Sequence, residues 1–272
     1  MDIIKKILSN RLKVMSLLAV VLFFFYGGLI EPRWIEVTHW SRSVGLSGKT
    51  ITLAQLSDLH ISEISTTERK TLEHIKRLKP QIILLSGDVI DRHDSLPALK
   101  SFLTQLPPAI KFAILGNWEH WSGVELEALA ALYAENDVTL LINQCVSLSQ
   151  QGIHLSIAGF DDYTAGRPDV TRALKECSKD LPFIVAEHSP GLFDEPPLPE
   201  MPKPAFILAG HTHGGQLAIG NKAIFTPPGS GRFVAGWYTT PWGDLYVSKG
   251  VGTSVIPMRI GARPEISIFE IK

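Results

Sequence analysis

Residues 51 to 60 read ITLAQLSDLH: six residues suited to a strand, followed at once by Ser57-Asp58-Leu59-His60. A β-branched and aliphatic run that is apolar on both faces is the pattern of a central strand covered on both sides. The same grammar recurs along the chain. IILLS (82 to 86) leads into Gly87-Asp88, and KFAIL (111 to 115) into Gly116-Asn117-Trp118-Glu119-His120. FIVAE (183 to 187) leads into His188, and AFILA (205 to 209) into Gly210-His211-Thr212-His213. LSIAGF (155 to 160) is a further run of this kind, with Asp161 and Asp162 after it.

Between the early runs lie two segments with apolar residues at helical spacing. One is Thr66 to Lys79, carrying Leu72, Ile75 and Leu78 before Pro80; the other is Val124 to Glu135, carrying Leu126, Leu129, Ala130 and Tyr133. The order β-α-β-α predicts a layered α/β domain. Toward the carboxyl end, PPGSGRF, TPWGDLYVSKGVG and PEISIFEIK read as turns and strands without intervening helices, which predicts a second, antiparallel sheet. PPLPEMPKP (196 to 204) reads as a stiff connecting loop.

A chain of 272 residues, 45% of them hydrophobic, can bury a large core as one domain with an appendage. The net charge of -1 supplies no basic surplus, so nucleic-acid binding is not expected. Cys145 and Cys177 form no spaced ligand set; core thiols and a single disulfide are both open, and core thiols are preferred.

The appendage is the amino terminus. Lys5, Lys6, Arg11 and Lys13 precede Val14 to Ile30, a run of 17 residues without a charge. At about 1.5 Å per residue such a helix is just long enough to cross a bilayer core. No small-residue cleavage site follows, so the segment reads as a retained anchor rather than a signal peptide. The charge asymmetry favours an amino terminus in the cytoplasm and the remainder on the periplasmic or extracellular side of a cell inner membrane, with a domain on the cytoplasmic face as the alternative. The expected organisation is an anchor over 1 to 31, a linker over 32 to 49 and a catalytic domain over 50 to 272.

Five strand ends thus deliver an oxygen or nitrogen donor. In open α/β sheets ligands bind beyond the carboxyl ends of strands, so these groups are predicted to converge from distant parts of the sequence. Two carboxylates, several imidazoles and an amide carbonyl suit Mn²⁺, Zn²⁺ or Fe. Asp58 and Asp88 held close together would repel one another unless cations compensated. A metal pair relieves that repulsion, acidifies water and clamps both oxygens of a phosphoryl transfer. The flanking glycines of GHTHGG are expected to let backbone and a substrate phosphate approach closely.

The five motifs SDLH, GDVID, GNWEH, EHSP and GHTHGGQ, in this order, resemble those of the calcineurin-like metallophosphoesterases. They are most similar to a bacterial membrane-anchored branch that includes phosphodiesterases and a UDP-2,3-diacylglucosamine pyrophosphatase. The resemblance covers Ile51 to the carboxyl terminus. It implies a four-layer αββα sandwich and a dinuclear site that cleaves phosphodiester or pyrophosphate bonds with a metal-bound hydroxide. By the same resemblance Asp58, His60 and His213 hold the first metal, Asp88 bridges, and Asn117, His188 and His211 hold the second. An envelope or lipid-linked substrate is implied by the anchor; lipid A precursor hydrolysis and a noncatalytic metal-binding scaffold are the alternatives.

One position departs from the family. Gly-Asn is commonly followed by a His that assists the leaving group, and here Trp118 stands there. His120 is the candidate substitute, with Asn117, on the leaving-group side. Losing a general acid hurts poor leaving groups most, which tilts the expectation from monoesters toward diesters and diphosphates. Asp91, His93 and Asp94 read as cap or turn residues, with Asp91 a candidate to orient a ligand. Asp161 and Asp162 read as turn residues. His39, His74 and His154 read as surface or packing residues, and Arg232, Arg259 and Arg263 as solvated or salt-linked in preference to receiving a substrate phosphate.

Overall fold

The computed structural model describes residues 2–45, 50–150, 153–197, 201–219 and 222–272. Parts of the expected linker (46–49) and of the expected stiff connection (198–200) lie outside the described residues. The helices are α1 (Asp2–Phe25), α2 (Thr66–Leu78), α3 (Leu96–Leu103), α4 (Asn117–Trp121), α5 (Leu126–Glu135) and α6 (Val170–Lys175). The strands begin with β1 (Glu36–Arg42), β2 (Ile51–Leu56), β3 (Ile82–Ser86), β4 (Ile110–Ile114) and β5 (Val138–Leu140). They continue with β6 (Gln144–Gln150), β7 (Ile153–Gly159), β8 (Phe183–Ala186), β9 (Phe206–Ala209), β10 (Ala218–Ile219) and β11 (Lys222–Ala223). The last three are β12 (Gly236–Thr240), β13 (Gly243–Val247) and β14 (Glu265–Ile271).

Two six-stranded sheets pack face to face, in the orders β1-β14-β2-β3-β4-β5 and β12-β13-β9-β8-β7-β6. Side-chain alternation along each run explains why. Ile82 and Leu84 of β3 enter the core between the sheets, while Ile83 and Leu85 meet the helix layer of α2, α3 and α5. Phe206 and Leu208 of β9 likewise face the intersheet core, and Ile207 and Ala209 face the outer layer that contains α6. Each continuous apolar run is therefore shared between two cores, as a strand buried on both sides requires. The result is the four-layer αββα arrangement.

α2 starts at a capping box, with Ser65 accepting from the N–H of Thr67 and Glu68 accepting from the N–H of Ser65, and ends at Lys79 in the left-handed conformation. β2, β3 and β4 run parallel, as do β7, β8 and β9, so the loops after them emerge at the same end of the sandwich. Gln55 ties the two sheets together under that end, donating to the carbonyl of Ala209 at 2.9 Å and to Ser86 Oγ at 3.0 Å.

The structure corrects three expectations. The last three strands join the two main sheets instead of building an antiparallel sheet of their own: β12 pairs with β13, β13 adds to β9 in parallel, and β14 inserts between β1 and β2 of the other sheet. Residues 36–42, expected in the linker, are the edge strand β1, in register with β14 from Glu36–Glu265 to Arg42–Ile271. Cys145 and Cys177 are joined in a disulfide rather than being core thiols. The amino-terminal helix carries exposed apolar side chains from Leu12 to Phe25 and continues through a π-turn at Tyr26–Ile30 and a 3₁₀ turn at Glu31–Arg33. The segment Asn10–Arg33 is long and apolar enough to cross a membrane.

Candidate metal centre

The loops after β2 and β3 continue side by side past the sheet. The N–H groups of Asp58, His60 and Ile61 donate to the carbonyls of Gly87, Asp88 and Val89 at 3.1, 3.0 and 2.8 Å. Asp58, His60, Asp88, His211 and His213 all adopt left-handed backbone conformations, with φ of 52°, 48°, 50°, 70° and 51°. Such conformations are uncommon outside glycine and concentrate at functional sites. The loops after β9 and β2 meet at Gly210, where a Cβ would lie 1.8 Å from Ser57 Oγ and 2.6 Å from Asp58 Oδ2; only glycine lets the β9 loop reach the β2 loop. Gly214 and Gly215 also have positive φ, and a Cβ at these positions would meet Lys249 and Ala223.

Two clusters form at this end. Ligand atoms of Asp58, His60 and His213 lie within 4.8 Å of one another, as do those of Asp88, His188 and His211. All six side chains are buried. Asp88 Oδ2 stands 3.0 Å from His188 Nε2 and 3.9 Å from His60 Nε2, between the two groups. Asp58 Oδ1 stands 3.3 Å from His213 Nε2 and 3.9 Å from His188 Nε2, and both its oxygens accept from the N–H of His211. Asn117 begins α4 and lines the same cavity as Asp88 and His211.

Second partners orient three of the four imidazoles. His188 Nδ1 donates to the carbonyl of Ser86 at 2.8 Å, His211 Nε2 to that of Pro228 at 2.7 Å, and His60 Nδ1 to the carboxylate of Asp91. A nitrogen that carries its proton toward an oxygen leaves the other nitrogen with a lone pair directed into the site. His211 Nδ1 and Asn117 Oδ1 are in fact buried without a hydrogen-bond partner, and His188 Nε2 points at Asp88 Oδ2, 3.0 Å away. His60 Nε2 and His213 Nε2 face each other at 3.1 Å. Native proteins rarely leave several buried acceptors unpaired, and this donor set fits divalent cations.

Electrostatics agree. Burial opposes ionisation of Asp88, yet His188 and His60 hold its carboxyl down at about 2. Burial also disfavours charge on His188, but the carboxylates of Asp88 and Asp58 outweigh it and hold that imidazole well above its ordinary value. His213 is pushed well below its ordinary value, first by burial and then by the neighbouring His60 and Arg259. The site thus concentrates acidic and imidazole groups where little water can screen them.

Several supporting residues were not apparent from the sequence. Glu119 is 1% exposed and accepts four backbone N–H groups: Asp88 at 2.9 Å, Val89 at 2.6 Å, Ile90 at 3.3 Å and Gly116 at 2.7 Å. It holds the turn that carries Asp88. Arg259 is fully buried and donates to the carbonyls of Gly252, Ala262 and Gly250, with one nitrogen 3.3 Å from His213 Nδ1. It is neither solvated nor salt-linked, because the backbone around it supplies the acceptors. Arg232 does pair with Asp194 at 2.8 Å, and Arg263 lies over the ring of Trp34. Asp91 is the partner of His60; His93 and Asp94 start a 3₁₀ turn, and Asp94 pairs with Arg92.

The two residues expected on the leaving-group side part company. Asn117, with Trp118 and Trp121, forms one wall of a cavity of about 310 Å³. His120 Nε2 is bonded to Asp161 Oδ1 at 2.8 Å, and Asp161 in turn accepts from the N–H groups of Asp162 and Arg167. Trp118 packs edge-on against His60, with ring centroids 6.0 Å apart. His39 and His154 are exposed, and His74 pairs with Arg77.

Comparison with known proteins agrees with this geometry. The family model of calcineurin-like phosphoesterases matches residues 51–215. The uncharacterized metallophosphoesterase YkuE of Bacillus subtilis is 32% identical over 91% of this chain and 89% of its own length. Phosphodiesterase YaeI of Escherichia coli is 29% identical over 91% of this chain and 92% of its own. A transmembrane protein with a metallophosphoesterase domain from Bos taurus is 31% identical over 81% of this chain and 53% of its own. Matched over most of its folded part, and carrying two His/Asp clusters where its parallel strands end, the chain belongs to the calcineurin-like phosphoesterase family.

Proposed function

We propose that the chain is a membrane-anchored, two-metal phosphodiesterase or pyrophosphatase. The observation that carries this reading is the pair of buried His/Asp clusters, with His211 Nδ1 and Asn117 Oδ1 left without partners beside two carboxylates. Asp58, His60 and His213 would hold one cation, and His188, His211 and Asn117 the other. Asp88 would join them, since its Oδ2 faces a histidine of each group. Two divalent cations, when bound, acidify water and neutralise charge on a phosphoryl group.

The chain's own residues prepare the site for that chemistry. Ser86, Asp91 and Pro228 hold three imidazoles in the tautomer that can ligate, and Glu119 holds the Asp88 turn. Trp118 lines the cavity where relatives commonly place a proton donor, and it offers no titratable group there. Esters whose leaving groups need little proton assistance are therefore the favoured substrates. His120, held on Asp161, would act on that side only through a proton it shares with the carboxylate.

The disulfide supports an oxidising compartment for the domain, and the basic flank before the span supports a cytoplasmic amino terminus. Together they favour a domain on the outer side of the inner membrane.

The test uses the full chain in detergent, freed of metal and reloaded in turn with Mn²⁺, Zn²⁺ and Mg²⁺. Hydrolysis of an aryl diester and a nucleotide diphosphate well above that of an aryl monoester is expected, with two metal equivalents bound. Asp88→Ala should abolish turnover and lower metal content. A strong monoester preference would overturn the substrate class. Bound metal without hydrolysis in any form would instead support the scaffold reading.

A further inference from the structure

The membrane-crossing helix does not end in a loose tether. The carbonyl of Gly27 accepts the N–H of Arg259 at 2.9 Å. A Cβ on Gly27 would lie 2.8 Å from the side chains of Met258 and Ile260, so the helix lies flat on that segment. Glu31, 1% exposed, accepts the N–H of Ala262 at 2.9 Å. These contacts seat the domain on the end of the span.

The seat continues to the mouth of the cavity. Ile260 exchanges hydrogen bonds with the segment after His213: its N–H donates to the carbonyl of Gln216 at 2.9 Å, and its carbonyl accepts from Ala218 at 2.7 Å. The Gln216 amide donates in turn to the carbonyls of Ser254 and Ile256, at 3.1 and 2.6 Å. Residues 254–260 and the paired strands β10 and β11 therefore form one ledge between Gly27 and the metal centre. That ledge exposes large apolar side chains: Ile219 at 78%, Ile224 at 68%, Phe225 at 69%, Val255 at 89% and Ile256 at 48%. Trp121, 58% exposed, lines with Ile224, Phe225, Val255 and Ile256 the cavity that also reaches Asp88, His211 and His213. Val255 is moreover held at φ 52°, an unfavourable conformation for a β-branched residue.

Clustered exposed apolar side chains mark a surface that is covered by something. Continuity with the span says by what. A helix over Asn10–Arg33 is roughly 36 Å long at 1.5 Å per residue, against a hydrocarbon core of about 30 Å. Its carboxyl-terminal turns therefore emerge at the lipid–water interface, and a ledge packed directly on Gly27 lies at the same depth.

We infer that this ledge is embedded in the bilayer interface and that the cavity opens onto the membrane, so that the substrate is a lipid-linked phosphodiester, drawn from the bilayer, whose leaving group needs little proton assistance. The acyl chains stay against the ledge while the phosphoryl group enters the cavity. Hydrolysis adds water across one P–O bond: phosphorus gains the oxygen, the released alcohol takes one proton, and the other passes to solvent. The substrate half of the inference rests on the proposed phosphodiesterase reading; the insertion half does not.

The experiment places the full chain in nanodiscs of phosphatidylethanolamine and phosphatidylglycerol. Cys145 and Cys177 are paired with each other. A Val255→Cys variant therefore takes an environment-sensitive fluorophore, with Glu127→Cys on α5 as the exposed control. Blue-shifted emission at 255 that is quenched by lipids with dibrominated chains, with neither effect at 127, is the expected result. Aqueous emission without quenching at 255 would overturn insertion, whatever the metal content.

The second arm uses Ile219→Asp, on the ledge but outside the cavity wall. Hydrolysis of a lipid diester in the nanodisc should fall on the order of tenfold, as expected for placing a charge where an apolar side chain meets lipid, with a water-soluble aryl diester unaffected. Equal loss on both substrates would overturn membrane delivery. Failure to cleave either one, with the 255 probe still quenched, would retire the enzymatic reading and leave the insertion standing.

Discussion

Glu119→Gln isolates the part of the site that is pure scaffold. The glutamate is buried at 1% exposure and its two oxygens share four backbone donors: Oε2 takes Asp88 and Gly116, and Oε1 takes Val89 and Ile90. Burial and the charge of Asp88 push its carboxyl above the ordinary value, and the N–H donors pull the other way. Glutamine preserves the shape but turns one oxygen into an NH₂ group that faces two donors, whichever way the amide is flipped. Two charge-assisted bonds are lost, and two N–H groups are left buried without acceptors. At roughly 1.5 to 3 kcal/mol for each such bond, the loss is about 3 to 6 kcal/mol. For a domain of this size that lowers Tm by on the order of 10 °C. The relaxed turn carries Asp88, so metal affinity should fall as well, although Glu119 itself ligates nothing. Differential scanning calorimetry of the apo full chain, followed by metal titration, reads both effects. A Tm within a degree or two of wild type, with unaltered metal binding, would refute the view that Glu119 holds the Asp88 turn.

Other perturbations follow from the same geometry. A Gly116→Ala Cβ would lie 2.4 Å from Asp88 Oδ1 and 2.9 Å from His188 Cδ2, so this variant should fold less stably by a few kcal/mol and bind metal poorly, as measured by thermal unfolding and metal content. Breaking the disulfide with Cys145→Ser and Cys177→Ser opens a loop of 32 residues' separation; the chain-entropy argument gives about 3 to 4 kcal/mol, seen as a lower Tm that reductant no longer changes. His120 is raised first by its bond to Asp161, and its contribution is present below the unfolded histidine value and lost as pH rises through the raised one. Asp161, which burial alone would raise, is lowered by His120, and its contribution disappears as pH falls through that lowered value. A His120→Asn variant should therefore be destabilised by about 1 kcal/mol at slightly acidic pH and converge on wild type at alkaline pH; a gap that widens with rising pH would contradict the pairing.

Much of the centre was legible because each ligand sits where a strand stops. β2, β3, β4, β8 and β9 are written as dense aliphatic runs, and Asp58, Asp88, Asn117, His188 and His211 come within three residues of their ends. A parallel sheet places such ends together, so local pattern and a topological rule were enough to predict convergence. Glu119 was hidden because three of its four partners are backbone N–H groups about 30 residues away, and backbone donors leave no mark on composition. Arg259 was hidden for the matching reason: its acceptors are carbonyls, and a charged residue near a carboxyl terminus reads locally as surface.

What the sequence determined by itself is therefore the strands that carry the site, the donor type at the end of each, and an apolar helix ahead of the domain. These follow from local side-chain periodicity and from chemistry confined to a few neighbouring residues. Only the tertiary structure decided that β14 inserts between β1 and β2, that Cys145 meets Cys177, that Asp91 holds His60, and that the apolar ledge lies between the span and the metal centre. Each of these depends on which distant segments share a surface. That choice is made by the collective burial of whole faces, and no short stretch of residues records it.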